Sequence, residues 1–234
     1  MIEKNIFMSW YTKKLHPLVQ QKIDIFKQMN PLYTYYLYDD NDMDNFVNEH
    51  FKGEIAECYN KLNIIVAKVD FWRYLVLYTY GGIYLDIDSS IEKPLDDLIK
   101  DDDQAIITAE GNSNLYVQWA LIFSKGHPIL KRTIELVCNN IKNNSYPNNI
   151  HFMTGPTVYT KSINEIHKEL FNNIINHGYI TRDSDITYKL DNISYRLYGI
   201  DYSGYFCFKH NLNNLLYNNK KHWRLEEKEK PLLI

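Results

Sequence analysis

IIVAKVDFWRYLVLYTYGGIYLDIDSSIEKP, residues 64–94, is the stretch on which the reading of this chain turns. Ile65, Val69, Trp72, Val76 and Tyr80 recur at helical spacing, and no Pro or Gly interrupts them before Gly81-Gly82. A glycine pair suits a helix end where the backbone must turn left-handed. From Ile83 to Asp88 the pattern changes to period two, which predicts a short strand. Ile83, Leu85 and Ile87 share one face; Tyr84, Asp86 and Asp88 share the other. An aromatic ring and two carboxylates therefore line one surface, with an apolar surface behind them.

Two carboxylates on one face repel each other unless positive charge sits with them. The residues by themselves allow either a solvated strand tip or a site for a divalent cation or a phosphate. A D-x-D pair alone decides nothing, because it also occurs at Asp40/Asp42, Asp42/Asp44, Asp101/Asp103 and Asp183/Asp185. Asp86/Asp88 differs in following an apolar strand that itself follows a glycine-ended helix. On that helix Asp70 and Arg73 lie one turn apart and share a face. Val69, Phe71, Trp72, Leu75 and Val76 surround them, so the helix is apolar nearly all round and buried. Buried charges need partners, and a cleft is where they are usually found.

The pattern A-x-x-D-x-x-R-x-x-x-L-x-x-x-GG-x-Y-x-D-x-D is met at Ala67, Asp70, Arg73, Leu77, Gly81, Gly82, Tyr84, Asp86 and Asp88. This block resembles the core of the DXD-containing sugar transferases of glycosyltransferase family 32. That group includes yeast outer-chain mannosyltransferases and α-1,4-galactosyltransferases, and the glucosylating domains of large clostridial toxins share the block. The resemblance covers residues 5 to about 98 and thins beyond. It implies an α/β, single-domain GT-A-like (Rossmann-like) fold: a mixed sheet flanked by helices, with the DXD at the end of a central strand. On that reading residues 1–234 form one domain, 1–98 its nucleotide-sugar-binding half and 99–234 its acceptor-side half.

Length and composition set the frame for this. A chain of 234 residues is long enough for one sizeable α/β domain and short for two. A formal charge of −3 gives no basic bias, so no nucleic-acid partner is expected. Cys58, Cys138 and Cys207 are far apart in sequence with no C-x-x-C spacing, as expected of reduced thiols in a reducing compartment. The N-terminus MIEKNIFMSW has no apolar run of signal-peptide length, and no stretch reaches membrane-span length. A cytoplasmic protein without a membrane segment is expected, whereas eukaryotic members of the family are usually Golgi-anchored.

Taken in order, residues 5–10 read as a first strand, 17–29 as a helix with Leu18, Ile25 and Phe26 inward, and 33–38 as a second strand. Such an opening argues for parallel pairing through a crossover. Asp40 to Asp44 imitates half a calcium loop but has Asn45 and Phe51 where Gly and Glu are required. It reads instead as the acidic first turn of a helix. Residues 46–62 are expected to be helical with a break at Gly53. Further on, 101–103 reads as a solvated loop, 104–108 and 116–123 as strands, 128–141 as a helix opened by Pro128, and 143–149 as a polar loop. Met153-Thr-Gly-Pro156 opens another helix, and in the family the backbone there passes close to the donor pocket. Residues 186–198 and 205–208 look like strands.

The resemblance also implies roles. Asp88 would hold Mn²⁺ or Mg²⁺ directly, and Asp86 would contact the metal and the donor ribose. Arg73 would reach the diphosphate or the sugar, and Asp70 the sugar hydroxyls. Trp10, just past the first strand, and Tyr84 would embrace the nucleotide. The family completes its metal site near the C-terminus with a residue that is often His shortly before Ser-Trp. His210 fills that place here, with His222, which stands before Trp223, as runner-up. The implied reaction moves a sugar, with retention, from a nucleotide diphosphate sugar (UDP favoured over GDP) to a glycan, glycolipid or protein hydroxyl. Two other readings stay open on the residues. One is a non-catalytic nucleotide-sugar-binding module on the same fold. The other is a metal-dependent nucleotidyltransferase, which the short Gly82–Asp86 spacing disfavours.

Overall fold

The computed structural model describes residues 1–111, 114–209, 211–217 and 223–234. Its first half runs β1 (Asn5–Ser9), α1 (Pro17–Met29), β2 (Thr34–Tyr38), α2 (Asp40–His50), α3 (Glu54–Lys61), α4 (Ile65–Tyr80), β3 (Gly82–Leu85) and β4 (Ser90–Ile91). Then come β5 (Ala105–Ala109), β6 (Ala120–Phe123), α5 (Pro128–Lys142), α6 (Ile150–Met153), α7 (Pro156–Phe171), β7 (Asp185–Leu190) and β8 (Ile193–Ile200). β9 (Phe206–Cys207), α8 (Asn213–Tyr217) and α9 (Trp223–Glu229) close the chain.

One mixed sheet carries the strand order β2-β1-β3-β6-β5-β8-β7, and β4 pairs with β9 in a small second sheet. β1 pairs in parallel with both β2 and β3, while β6 runs antiparallel to β3 and β5. The strand–helix–strand opening thus gives the parallel pair that its pattern predicts. Alternation sorts the side chains into two apolar cores. Ile83, Leu85 and Ile87 join Ile6, Met8 and the α1 residues Val19, Ile23 and Phe26 in one. Phe7, Tyr84, Leu121 and Phe123 join the residues of α4, α5 and α7 in the other.

α4 is the central pillar, with its middle turns buried all round. Gly81 ends it at φ 68°, and Gly82 follows at φ 114°, both in the region that favours glycine. A Cβ on Gly82 would stand 2.5 Å from the carbonyl oxygen of Asn5, so only glycine lets β3 enter the sheet beside β1.

Several sequence expectations are corrected. β3 stops at Leu85, because Ser89 donates its backbone N–H back to the Asp86 carbonyl (2.9 Å) and closes a turn. The strand expected over 116–123 narrows to β6, and 186–198 divides into the β7–β8 hairpin. On α1, Leu18 and Ile25 are exposed and Val19 and Ile23 are buried, so only Phe26 of the expected trio faces in. Asp103 leaves the solvated loop: it is buried and takes two hydrogen bonds from Arg196 of β8, Nε to Oδ1 at 2.9 Å and Nη2 to Oδ2 at 2.6 Å. A fully buried guanidinium needs such a partner. Among the described residues no helix is long and apolar enough to cross a membrane.

Candidate active site

A cleft of about 670 Å³ opens where β1 and β3 end, and Trp10, Asp70, Arg73, Tyr84, Asp86 and Asp88 all line it. The elements above explain why they converge. The α4 face carrying Asp70 and Arg73 points at the sheet, and the turn after β3 delivers Asp86 and Asp88. Trp10 follows β1, its backbone N–H held by the Tyr38 carbonyl at 3.0 Å. Ligand sites in open α/β sheets favour such strand ends.

Arg73 is the hub. Its Nη2 lies 3.0 Å from Asp70 Oδ1 and 3.3 Å from Asp86 Oδ1. Its Nη1 donates to the Gln118 side chain (2.7 Å) and to the Gln118 carbonyl (3.0 Å). The guanidinium also lies over the Tyr84 ring, 4.5 Å from its centroid, and the Tyr84 hydroxyl donates to Asp86 Oδ1 at 2.6 Å. Burial is the largest single influence on Arg73 and works against its charge. Tyr84, Asp86 and Asp70 outweigh it and raise the basicity above that of a free guanidinium. Arg73 is therefore a fixed positive charge. Burial pushes the Asp70 carboxyl above the usual carboxylate range, with Arg73 pulling the other way.

Asp70 is held from its other side by residues that spacing did not single out. Gln118, two positions before β6, donates Nε2 to Asp70 Oδ1 (3.1 Å) and to the Tyr74 hydroxyl (2.8 Å). The Thr154 hydroxyl donates to Asp70 Oδ2 at 3.2 Å, and the Tyr74 hydroxyl donates to the Thr154 carbonyl at 3.0 Å. Thr154-Gly-Pro156 therefore does pass beside the cleft, and a Cβ on Gly155 would stand 3.3 Å from Asp70 Oδ2. Nothing in the sequence around Gln118 announces its place; the T-G-P turn was the one available signal for Thr154.

Asp88 is buried at the cleft wall, and the Asp86 side chain is about a quarter exposed. His210 and His222, the two candidates for a third metal ligand, lie outside the described residues. Among the described residues no group of three His, Cys, Asp or Glu side chains is arranged to hold a metal. Asp86 and Asp88 form an all-oxygen donor pair. That set fits a hard divalent cation of the Mg²⁺ or Mn²⁺ kind, which commonly takes one or two carboxylates and completes its shell with water and phosphate oxygens.

Residues 5–105 match the family described as the glycosyltransferase sugar-binding region containing DXD motif. The chain is 24% identical over 212 residues to an initiation-specific alpha-1,6-mannosyltransferase of Candida albicans, covering 74% of this chain and 54% of that protein. It is 28% identical over 158 residues to inositol phosphoceramide mannosyltransferase 3 of Schizosaccharomyces pombe, covering 66% of this chain and 43% of that one. The chain thus spans about half the length of these relatives. Among solved structures, the PaToxG glycosyltransferase superposes with a TM-score of 0.57 at 21% identity, over 73% of this chain and 72% of the other. That likeness establishes the fold: a mixed sheet flanked by helices, of the GT-A kind.

Proposed function

We propose, from the match of residues 5–105 to the DXD-containing glycosyltransferase sugar-binding family, that the chain transfers a hexosyl group from a nucleotide diphosphate sugar to an acceptor hydroxyl. The observation that carries the reading is the joining of Asp70, Arg73 and Asp86 by ion pairs in one cleft that Asp88 and Trp10 also line. UDP-sugars are the proposed donors and retention the proposed stereochemistry, both from the family resemblance.

Each residue has a task that its surroundings suit. Asp88 and Asp86 would hold Mn²⁺ or Mg²⁺, with His210 proposed as the third ligand. When bound, such a cation offsets the negative charge that gathers on the departing nucleoside diphosphate. Tyr84 and Arg73 orient the Asp86 carboxylate, since both bind Oδ1. Arg73 keeps a preorganised positive charge in the cleft, where low dielectric makes it count for more than in water. Asp70, an acceptor when ionised, would receive sugar hydroxyls. Trp10 offers a ring for the base, and Tyr84 supports the site from its buried floor.

We place the reaction in the cytoplasm, which the three cysteines free of disulfides support. The acceptor is proposed to be a glycan, glycolipid or protein, met through the half of the domain formed by residues 99–234.

Thermal-shift titration with a panel of nucleotide sugars, with and without Mn²⁺, tests the reading, because a ligand that binds the folded state raises its melting temperature. A UDP-sugar is expected to stabilise the protein only with the metal present, followed by transfer or slow hydrolysis. No shift with any donor overturns the proposal. Binding with neither transfer nor hydrolysis demotes the chain to a nucleotide-sugar-binding module.

A further inference from the structure

A second cleft, of about 940 Å³, lies against the first, and Glu110, Trp119 and Phe208 line both. Trp119 is tied to the DXD itself, because its carbonyl accepts the backbone N–H of Asp86 at 2.8 Å. Its ring stacks on Phe208 with centroids 5.0 Å apart and planes 19° from parallel. Trp119 is buried beneath it and Phe208 remains 45% exposed, so the Phe208 ring offers an open apolar face at the border of the two clefts.

The far wall is the turn Asp201–Gly204. Asp201, Tyr202 and Ser203 stand at φ 47°, 54° and 49°, a left-handed run that non-glycine residues rarely adopt. Such strain persists only where the surroundings over-determine it. Here Tyr202 donates its backbone N–H to Thr108 Oγ1 (3.1 Å) and its hydroxyl to the Ala120 carbonyl (3.0 Å), while Ser203 Oγ donates to the Arg182 carbonyl. The result is a fixed backbone turn that carries Asp201 into the groove lining. Gly111 keeps room for it, since a Cβ there would stand 2.9 Å from Asp201 Oδ2.

An apolar ring face combined with fixed acceptors is the chemistry that recognises a sugar, which presents C–H faces and hydroxyl donors together. Charge narrows the class. Among the described residues Glu92, Glu110 and Asp201 line the groove against Lys22 and Arg182, with Lys22 3.7 Å from Glu92. An acidic balance repels a phosphate-bearing acceptor and suits a neutral one.

We propose that the second cleft is the acceptor groove and takes a neutral oligosaccharide, whose terminal hydroxyl reaches the donor cleft past Glu110 and the Trp119–Phe208 pair. This rests on the glycosyltransferase reading above, which the donor titration tests separately.

Cys207 supplies the test. It is exposed and lines the second cleft, whereas Cys58 and Cys138 are buried. A fluorescent maleimide therefore labels the native chain at Cys207, with Cys207→Ala as the control that does not label. Neutral tetrasaccharides of mannose, glucose and galactose, run as a panel beside inositol phosphate, compete for the groove. At least one neutral tetrasaccharide is expected to slow labelling saturably, by about fivefold or more at high occupancy. The Cys207 adduct is expected to lose transfer to that sugar and keep the nucleotide-sugar thermal shift. Asp201→Asn, which retains a residue tolerant of positive φ, is expected to raise the acceptor KM about tenfold with the donor KM unchanged. If nucleotide sugars bind yet no neutral tetrasaccharide slows labelling, the acceptor groove is wrong. Protection by inositol phosphate alone overturns it in favour of an anionic acceptor.

Discussion

Arg73 Nη2 lies 3.3 Å from Oδ1 of Asp86, which ties the middle of α4 to the first acid of the DXD. The pair joins an almost fully buried guanidinium to a carboxylate that still reaches the cleft. Asp70 completes it from one turn away on the same helix. Geometry of this kind holds charge in place without a ligand to organise it, which is what electrostatic stabilisation of a charged leaving group requires.

Arg73→Ala should remove that charge and leave Asp70 buried without its cation. Breaking a buried ion pair from one side costs about 3–5 kcal/mol, so urea unfolding should move to markedly lower concentration. Arg73→Lys should fold better but still lose on the order of 10²-fold in transfer rate, because an ammonium cannot serve Asp70, Asp86 and Gln118 with one fork. Equal rates for Lys and Arg would remove Arg73 from the chemistry.

Asp88→Ala should abolish transfer while the far-ultraviolet circular dichroism stays native. The Mn²⁺-dependent part of the nucleotide-sugar thermal shift should disappear with it. Full activity of this variant in the presence of a chelator contradicts a metal role for Asp88.

Gln118→Glu should replace the donor to Asp70 Oδ1 with a like charge at the same position. The lost hydrogen bonds alone predict about 1–3 kcal/mol of destabilisation, read by chemical denaturation. Transfer should fall further at pH 8 than at pH 5.5, where protonation of the new carboxyl relieves the repulsion. A variant as stable and active as the parent at both pH values would make Gln118 a bystander.

His127 should set the acid limit of stability. It caps α5, with Nδ1 accepting the Ile129 N–H (3.2 Å) and Nε2 donating to the Ser194 carbonyl (3.1 Å), an arrangement that requires the neutral ring. Burial pulls it down from 6.5 to about 4. The unfolded chain therefore takes up this proton at higher pH than the folded one. The contribution is fully present above pH 6.5 and is lost as pH falls toward 4, on the order of 3 kcal/mol in all. His127→Asn keeps a capping acceptor that does not titrate and should flatten this part of the pH–stability curve. An unchanged slope in that variant assigns the acid sensitivity elsewhere.

Local pattern was enough for α4, its glycine end, the alternation through β3 and the burial of Asp70 and Arg73, because each follows from residues within a few turns of one another. It also separated Asp86/Asp88 from the other D-x-D pairs by the elements on either side. It misjudged Asp103, whose partner Arg196 lies on β8 and is visible only once the sheet has formed. The inward face of α1 was misread for a related reason: Leu18 and Val19 are equally apolar, and only the helix's rotation against the sheet chooses between them.

Hydrophobic period and glycine placement are local properties, and they suffice for the apolar helix, the turn and the short strand that bring two acids to a strand end. What those acids meet depends on distant segments brought together by folding. Gln118 and Thr154 reach Asp70 from 48 and 84 residues away along the chain. The groove beyond Trp119 is likewise built from segments between Lys22 and Asn211. Contacts across such separations are set by strand order and packing, which no short window of residues encodes.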